Sequence, residues 1–317
     1  MAMRSATQVI SDHVIANLAL HRSSRLLPPP LFVAIQGPQG SGKTYLTSQL
    51  KQTLASDPHS LNVAVLSIDD LYLPHDGLKT LAEQYRSNKL WQGRGQPGTH
   101  DIALGVRLMQ ALHEINAGGQ VEVELPVFDK SLYNGEGDRS AHGGDIIRAP
   151  LDVVLLEGWC TGFYPIPAIE LENVWSTRWP QEMARLGLDA GPDPVCRKED
   201  VIMVNEALKQ YIDLWKYFTV FVQITPIVIP GKSPYEIIYE WRRQQEHHMK
   251  AQNGGRGMSD EGVKHFVDRY IPGYVFFGEG VSKPFEEQGD VKHPPWLGNG
   301  LRLVIGEERE LVAVEEF

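Results

Sequence analysis

Residues 31–44, LFVAIQGPQGSGKT, constrain this chain more than any other stretch. Leu31 to Gln36 are mostly apolar and read as a buried strand. They run straight into Gly37-Pro38-Gln39-Gly40-Ser41-Gly42-Lys43-Thr44, after which Leu46, Leu50 and Leu54 recur every fourth residue as one face of a helix. Strand, glycine-rich turn and helix, with G-x-x-x-x-G-K-T at the turn, is the context a phosphate-binding loop requires. The glycines let the backbone turn its N–H groups inward as an anion nest, and the helix N-terminus adds partial positive charge. Lys43 can reach the β- and γ-phosphates, and the Thr44 hydroxyl can ligate Mg²⁺. Gly37 to Thr44, with Tyr45 beside them, are expected to hold ATP or GTP.

The same alternation continues along the chain. Residues 61–68, 121–128, 151–156, 219–225 and 301–305 read as strands, the last of them as the final one. Helices are expected from Asp101 to Gly118-Gly119, over 199–218, over 234–250, and after a Ser259 cap. Residues 129–150 read as a long polar loop, and 160–198 as irregular with at most short helices. Alternating buried strands and helices predict an α/β fold, a doubly wound parallel sheet with helices on both faces. One domain over 1–317 is expected. It comprises an N-terminal helix in 1–30, a nucleotide core with acceptor loops over 31–230, a lid over 231–258, and a C-terminal helix and strand over 259–317. A literal G-x-G-x-x-G at 93–98 is no dinucleotide fingerprint, because no strand precedes it.

Ligands of such sheets sit at the carboxyl ends of the strands. Lys43 and Thr44 follow the first expected strand, Asp69 and Asp70 the second, Asp129 and Lys130 the third, and Glu157 the fourth. Phosphoryl transfer needs a phosphate cradle, Mg²⁺, a group to orient the nucleophile, and cations on the developing charge. Asp69 or Asp70 could accept a hydroxyl proton, or simply cap a turn. Glu157 could hold Mg²⁺, or order the phosphate loop as a buried carboxylate. Arg242 and Arg243 could serve a closing lid, or form a solvated helix face. Asp101 could be an N-cap and His100 a surface residue.

Bulk properties narrow the partners. Forty acidic against thirty basic residues give a formal charge of −10, which disfavours nucleic acid and membrane surfaces. Two cysteines outside any C-x-x-C pair suggest neither zinc nor a disulfide scaffold. The Arg and Ser of the first thirty residues would suit a transit peptide. Asp12 and the spacing of Val9, Val14, Ile15 and Leu18 fit an ordinary helix better, so a cytoplasmic enzyme with a small-molecule acceptor is expected.

Several blocks carry a likeness to a known family: GPQGSGKT, SIDDLYL, QGRGQPGTHD, LPVFDKS, VVLLEGW, WRRQQE and MSDEGVKHFVDRYIP. In this order the chain resembles the D-glycerate 3-kinase group and its fungal ATP-dependent relatives, within the phosphoribulokinase, uridine kinase and pantothenate kinase superfamily. The resemblance implies ATP and Mg²⁺ as cofactors and Asp69 as catalytic base, with Lys43 and Arg242 also serving the transfer. It implies Asp70, Arg94, His100, Asp101, Asp129 and Lys130 around the acceptor, Thr44 and Glu157 at the metal, and Arg243 as a second lid arginine on the nucleotide. The chain departs from the group at Leu71, where Phe is usual. The implied reaction is phosphorylation of a hydroxyl, first of D-glycerate. Another metabolite kinase or a regulatory ATPase are the alternatives, and no NKxD guanine element is present.

Overall fold

The computed structural model describes residues 4–23, 28–118, 122–189, 193–252, 254–255, 257–287 and 289–317. Six strands form one sheet: β1 (Leu31–Gln36), β2 (Val63–Ser67), β3 (Val153–Gly158), β4 (Val220–Pro226), β5 (Gly300–Ile305) and β6 (Leu311–Glu316), in the order β6-β5-β4-β1-β3-β2. The first five run parallel, and β6 returns antiparallel along β5. The sheet is therefore mixed, and Ile305 is followed by one more strand. β6 is an edge strand: Val312 and Val314 are exposed on one face while Leu311 packs against the core.

β1 and β3 are buried along their whole length. Along β1, Phe32 and Ala34 join one core while Leu31, Val33 and Ile35 join the other. Helices cover both faces, as the continuous apolar runs predict. One core takes in α4 (Ile102–Glu114), α7 (Lys198–Trp215) and α10 (Ile271–Phe277), with Leu81 of α3 (His75–Gln84) packed against it; the other takes in α1 (Ala6–Ser23) and α2 (Lys43–Ala55).

Two expectations, for residues 121–128 and 129–150, are corrected. Residues 121–128 supply no sheet strand. Glu122–Glu124 pairs antiparallel with Ile146–Arg148 outside the main sheet, because only Val123 of the three is buried (Val121 lies outside the described residues). Asp129 and Lys130 thus arrive on a second small ladder, Phe128–Asp129 against Asp138–Arg139, rather than from a sheet strand's end. This gives short regular structure to the expected loop 129–150. Residues 160–198 fold in part into two nine-residue helices, α5 (Ala168–Ser176) and α6 (Arg178–Leu186). The helix begun at the Ser259 cap is α9 (Asp260–Asp268), and Pro272 then starts α10 separately. The helix expected from Asp101 to Gly118-Gly119 ends at Glu114, followed by a 3-10 turn to Ala117, and Gly119 lies outside the described residues.

The expected lid segment, 231–258, contains one long helix. Helix α8 (Glu236–Gln252) packs mainly against α9, and its Trp241 is fully buried beside the phosphate loop, with the indole N–H donating to the Glu307 carbonyl at 2.7 Å. Replacing Trp241 with Ala is expected to cost about 3–5 kcal/mol, read as a lower midpoint in urea unfolding. An unchanged midpoint would mean that α8 is loosely held after all.

Candidate active site

The phosphate loop joins β1 to α2. Gly40 and Gly42 adopt left-handed φ values of 73° and 85°. A Cβ on Gly40 would lie 2.6 Å from the Trp241 carbonyl carbon, so the glycine also lets α8 meet the loop. Within the loop the Pro38 carbonyl accepts from Ser41 Oγ at 2.7 Å and Lys43 Nζ at 2.9 Å. Burial pushes the Lys43 ammonium pKa down, while Glu157 and Asp69 act to raise it. Two carboxylates thus act electrostatically on the loop lysine. Tyr45 turns outward and is exposed.

Register brings the strand ends together. Glu157 lies beside Ile35 of β1 and Ser67 of β2. It is buried, and its Oε1 accepts from Thr44 Oγ1 at 3.2 Å. Beyond Ser67 the chain enters a single 3-10 turn, Ile68–Leu71, closed by a reciprocal cap between Ser67 and Asp70. That turn separates two adjacent acids. Asp70 accepts from the Ser67 and Phe128 N–H groups, which fastens the small ladder to the sheet. Both acids line the cleft, and Asp69 there pairs with Lys130. Burial would raise the Asp69 pKa, but the charge and hydrogen bond of Lys130 outweigh it and hold the carboxyl at about 2. Asp69 in turn raises the Lys130 pKa.

Thr44, Glu157, Asp69 and Lys130 line one cleft of about 510 Å³. His100 stands behind it, buried, with its ring stacked on Tyr72 at 4.4 Å. Burial lowers its pKa to about 4, against the opposing charge of Asp69. Arg94 donates to the Gly135 and Glu136 carbonyls and lies over the Phe128 ring at 5.8 Å.

Other expected site residues serve the frame. Asp101 caps α4 through Leu104 N at 2.9 Å, and its second oxygen meets Arg139 at 3.4 Å. Asp129 lines the cleft but accepts from the Ser131 N–H and hydroxyl, at 2.8 and 2.6 Å. Arg242 pairs with Glu246 at 2.8 Å and lies over Phe266, and Arg243 pairs with Glu240. The arginine that grips the loop is one the sequence did not mark. Arg309, in the β5–β6 turn, donates to the Gly40 carbonyl at 2.7 Å and to Gln244 at 2.9 Å, and stacks over Trp241. It does so at a φ of 65°, a strained value for a residue with a Cβ. With the partners 269 positions apart in sequence, no local pattern could have revealed the contact.

No family model matches the chain. It is similar to the "Probable ATP-dependent kinase TDA10" of Saccharomyces cerevisiae, at 37% identity over 252 residues, 78% of each chain. It is also similar to a solved D-glycerate 3-kinase from Cryptococcus neoformans, at 37% identity and a TM-score of 0.86, covering 99% of this chain and 100% of that one. The chain belongs to the D-glycerate 3-kinase family of P-loop kinases. Another member, the chloroplastic D-glycerate 3-kinase of Arabidopsis thaliana, is 35% identical over 80% of this chain, which spans about half of the plant protein's length. As a member of this kinase family the chain is an ATP-dependent phosphotransferase acting on a hydroxyl.

Proposed function

We propose that the chain transfers the γ-phosphate of ATP to a hydroxyl of D-glycerate. The observation that carries this reading is the shared cleft, with Thr44 and Glu157 of the nucleotide end facing Asp69 and Lys130 of the acceptor end. The P-loop N–H groups and Lys43 hold the triphosphate. Asp69, ionised, orients the attacking hydroxyl and takes its proton as the bond to phosphorus forms. Lys130 and Arg94 supply cations for a small carboxylate.

A hydroxyl and a carboxylate 3.2 Å apart at the loop are the oxygen donors that Mg²⁺ favours. Thr44 and Glu157 would hold the ion, which when bound neutralises charge on the β- and γ-phosphates.

The test is ADP release with Mg·ATP against D-glycerate, uridine, pantothenate and ribulose 5-phosphate. D-glycerate alone is expected to raise the rate by at least about 100-fold. Stimulation by another compound, or by none, would overturn the assignment of this acceptor.

A further inference from the structure

His100 is held by contacts that together leave its imidazole one orientation. Its backbone bridges to Tyr72, while Leu73 N donates to Thr99 O at 2.9 Å and Asp101 N to Leu71 O at 2.7 Å. The Tyr72 ring lies flat against it, with an interplanar angle of 18°. Its Nδ1 is 2.6 Å from the hydroxyl of Tyr211, a residue of α7 more than a hundred positions away. That hydroxyl also lies 2.9 Å from the N–H of Gly98, which can only donate.

The donor count decides the tautomer. The Tyr211 oxygen accepts from Gly98, so the hydroxyl's single proton is available to Nδ1, and Nδ1 must then be the unprotonated nitrogen. The reverse arrangement would leave a buried hydroxyl proton without an acceptor, which is costly. In the neutral ring the remaining proton sits on Nε2. This atom is buried and has no hydrogen-bond partner among the described residues. His100 as a whole is 5% exposed, and Asp69 is the ionised group whose field acts on it.

We infer that Tyr211, with the Gly98 N–H behind it, is a positioning residue that fixes His100 as the neutral Nε2–H tautomer, and that this N–H donates to a carboxylate or hydroxyl oxygen of the acceptor. The recognition half of the inference rests on the acceptor reading above; the tautomer half does not. Burial keeps the ring uncharged at neutral pH, so His100 contributes a directed donor rather than a cation. A buried N–H of this kind penalises any compound that brings no oxygen to it. Tyr211 lies on the buried face of α7, and only the reach of its hydroxyl distinguishes it from its neighbours Leu208 and Trp215.

The experiment is ¹⁵N NMR of the histidine rings in the full chain, with His100 assigned by the signals lost in His100→Gln. At pH 7 the ring is expected to show the neutral Nε2–H pattern, and D-glycerate is expected to shift the Nε2 signal. In Tyr211→Phe the ring is expected to become a mixture of tautomers. In that variant KM for D-glycerate is expected to rise about tenfold, more than kcat falls, with KM for ATP unmoved. His100→Gln, whose amide N–H can stand near the Nε2 position, is expected to retain more acceptor affinity than His100→Ala. A charged or Nδ1-protonated ring at pH 7 would overturn the inference. So would a Tyr211→Phe protein whose ring signals and KM match the parent. Failure of D-glycerate to turn over in the parent falls on the function proposed above. The tautomer and its dependence on Tyr211 then still decide whether the positioning holds.

Discussion

Replacing Asp69 with asparagine is expected to lower kcat by about 10²–10⁴-fold while leaving nucleotide affinity unchanged. Asparagine has the same shape and can still accept a hydrogen bond from the acceptor hydroxyl, but it cannot take the proton. The neighbouring acid offers no substitute, because both oxygens of Asp70 are held by backbone N–H groups. The phosphate cradle lies on a different strand end and is built from Gly37 to Thr44, so nucleotide binding is kept. A carboxyl held at about 2 is a weak base towards a resting hydroxyl. Its work therefore comes late, when the forming bond to phosphorus has made the hydroxyl acidic, and before that it orients. The measurement is single-turnover transfer beside a nucleotide titration. A rate within about threefold of the parent would remove Asp69 from the chemistry.

The fold was largely legible because its signals are local. Continuous apolar runs at β1, β2, β3 and β4, and the helical spacing after Thr44, each declare an element from a handful of neighbouring residues. Residues 121–128 misled because a two-residue alternation marks any half-buried strand, and nothing in it says which sheet the strand joins. β6 escapes such a reading because Leu311 to Val314 are all apolar and Glu315 and Glu316 both acidic, so its burial alternates without any alternation of polarity. The same limit applies to the site. Asp69, Lys43, Thr44 and Glu157 stand directly at strand ends, where the chain itself points them into the crevice. The sequence could not separate Asp69 from Asp70, since that depends on a single turn of 3-10 helix that pairs one carboxylate with Lys130 and ties both oxygens of the other to backbone N–H groups. Nor could it reveal Arg309 or Tyr211, whose partners are long-range. Arg242 and Arg243 suit a closing lid or a solvated helix face alike, and their counter-charges lie four and three residues away on the same helix.

Lys130→Met is expected to change the pH dependence of the reaction as well as its rate. In the parent the Lys130 charge overcomes the effect of burial, so Asp69 stays ionised down to about pH 2 and contributes no acid limb in the usual assay range. Without Lys130 the burial remains, opposed chiefly by the charge of Lys43, and the Asp69 pKa must rise. The sign follows directly. The catalytic form is the carboxylate, so a raised pKa removes activity as pH falls and restores it as pH climbs. The acid limb of kcat/KM is expected to enter the range of about pH 5–6, where the parent is flat. At pH 8 the variant is expected to keep more activity than Asp69→Asn, because its carboxylate is intact and a stronger base, though it loses a cation beside the acceptor. Lys130→Arg, which keeps the charge, is expected to keep the flat profile. Profiles of Lys130→Met and parent that superimpose from pH 5 to pH 8 would show that the ion pair does not set the ionisation of Asp69, and that Lys130 serves acceptor binding alone.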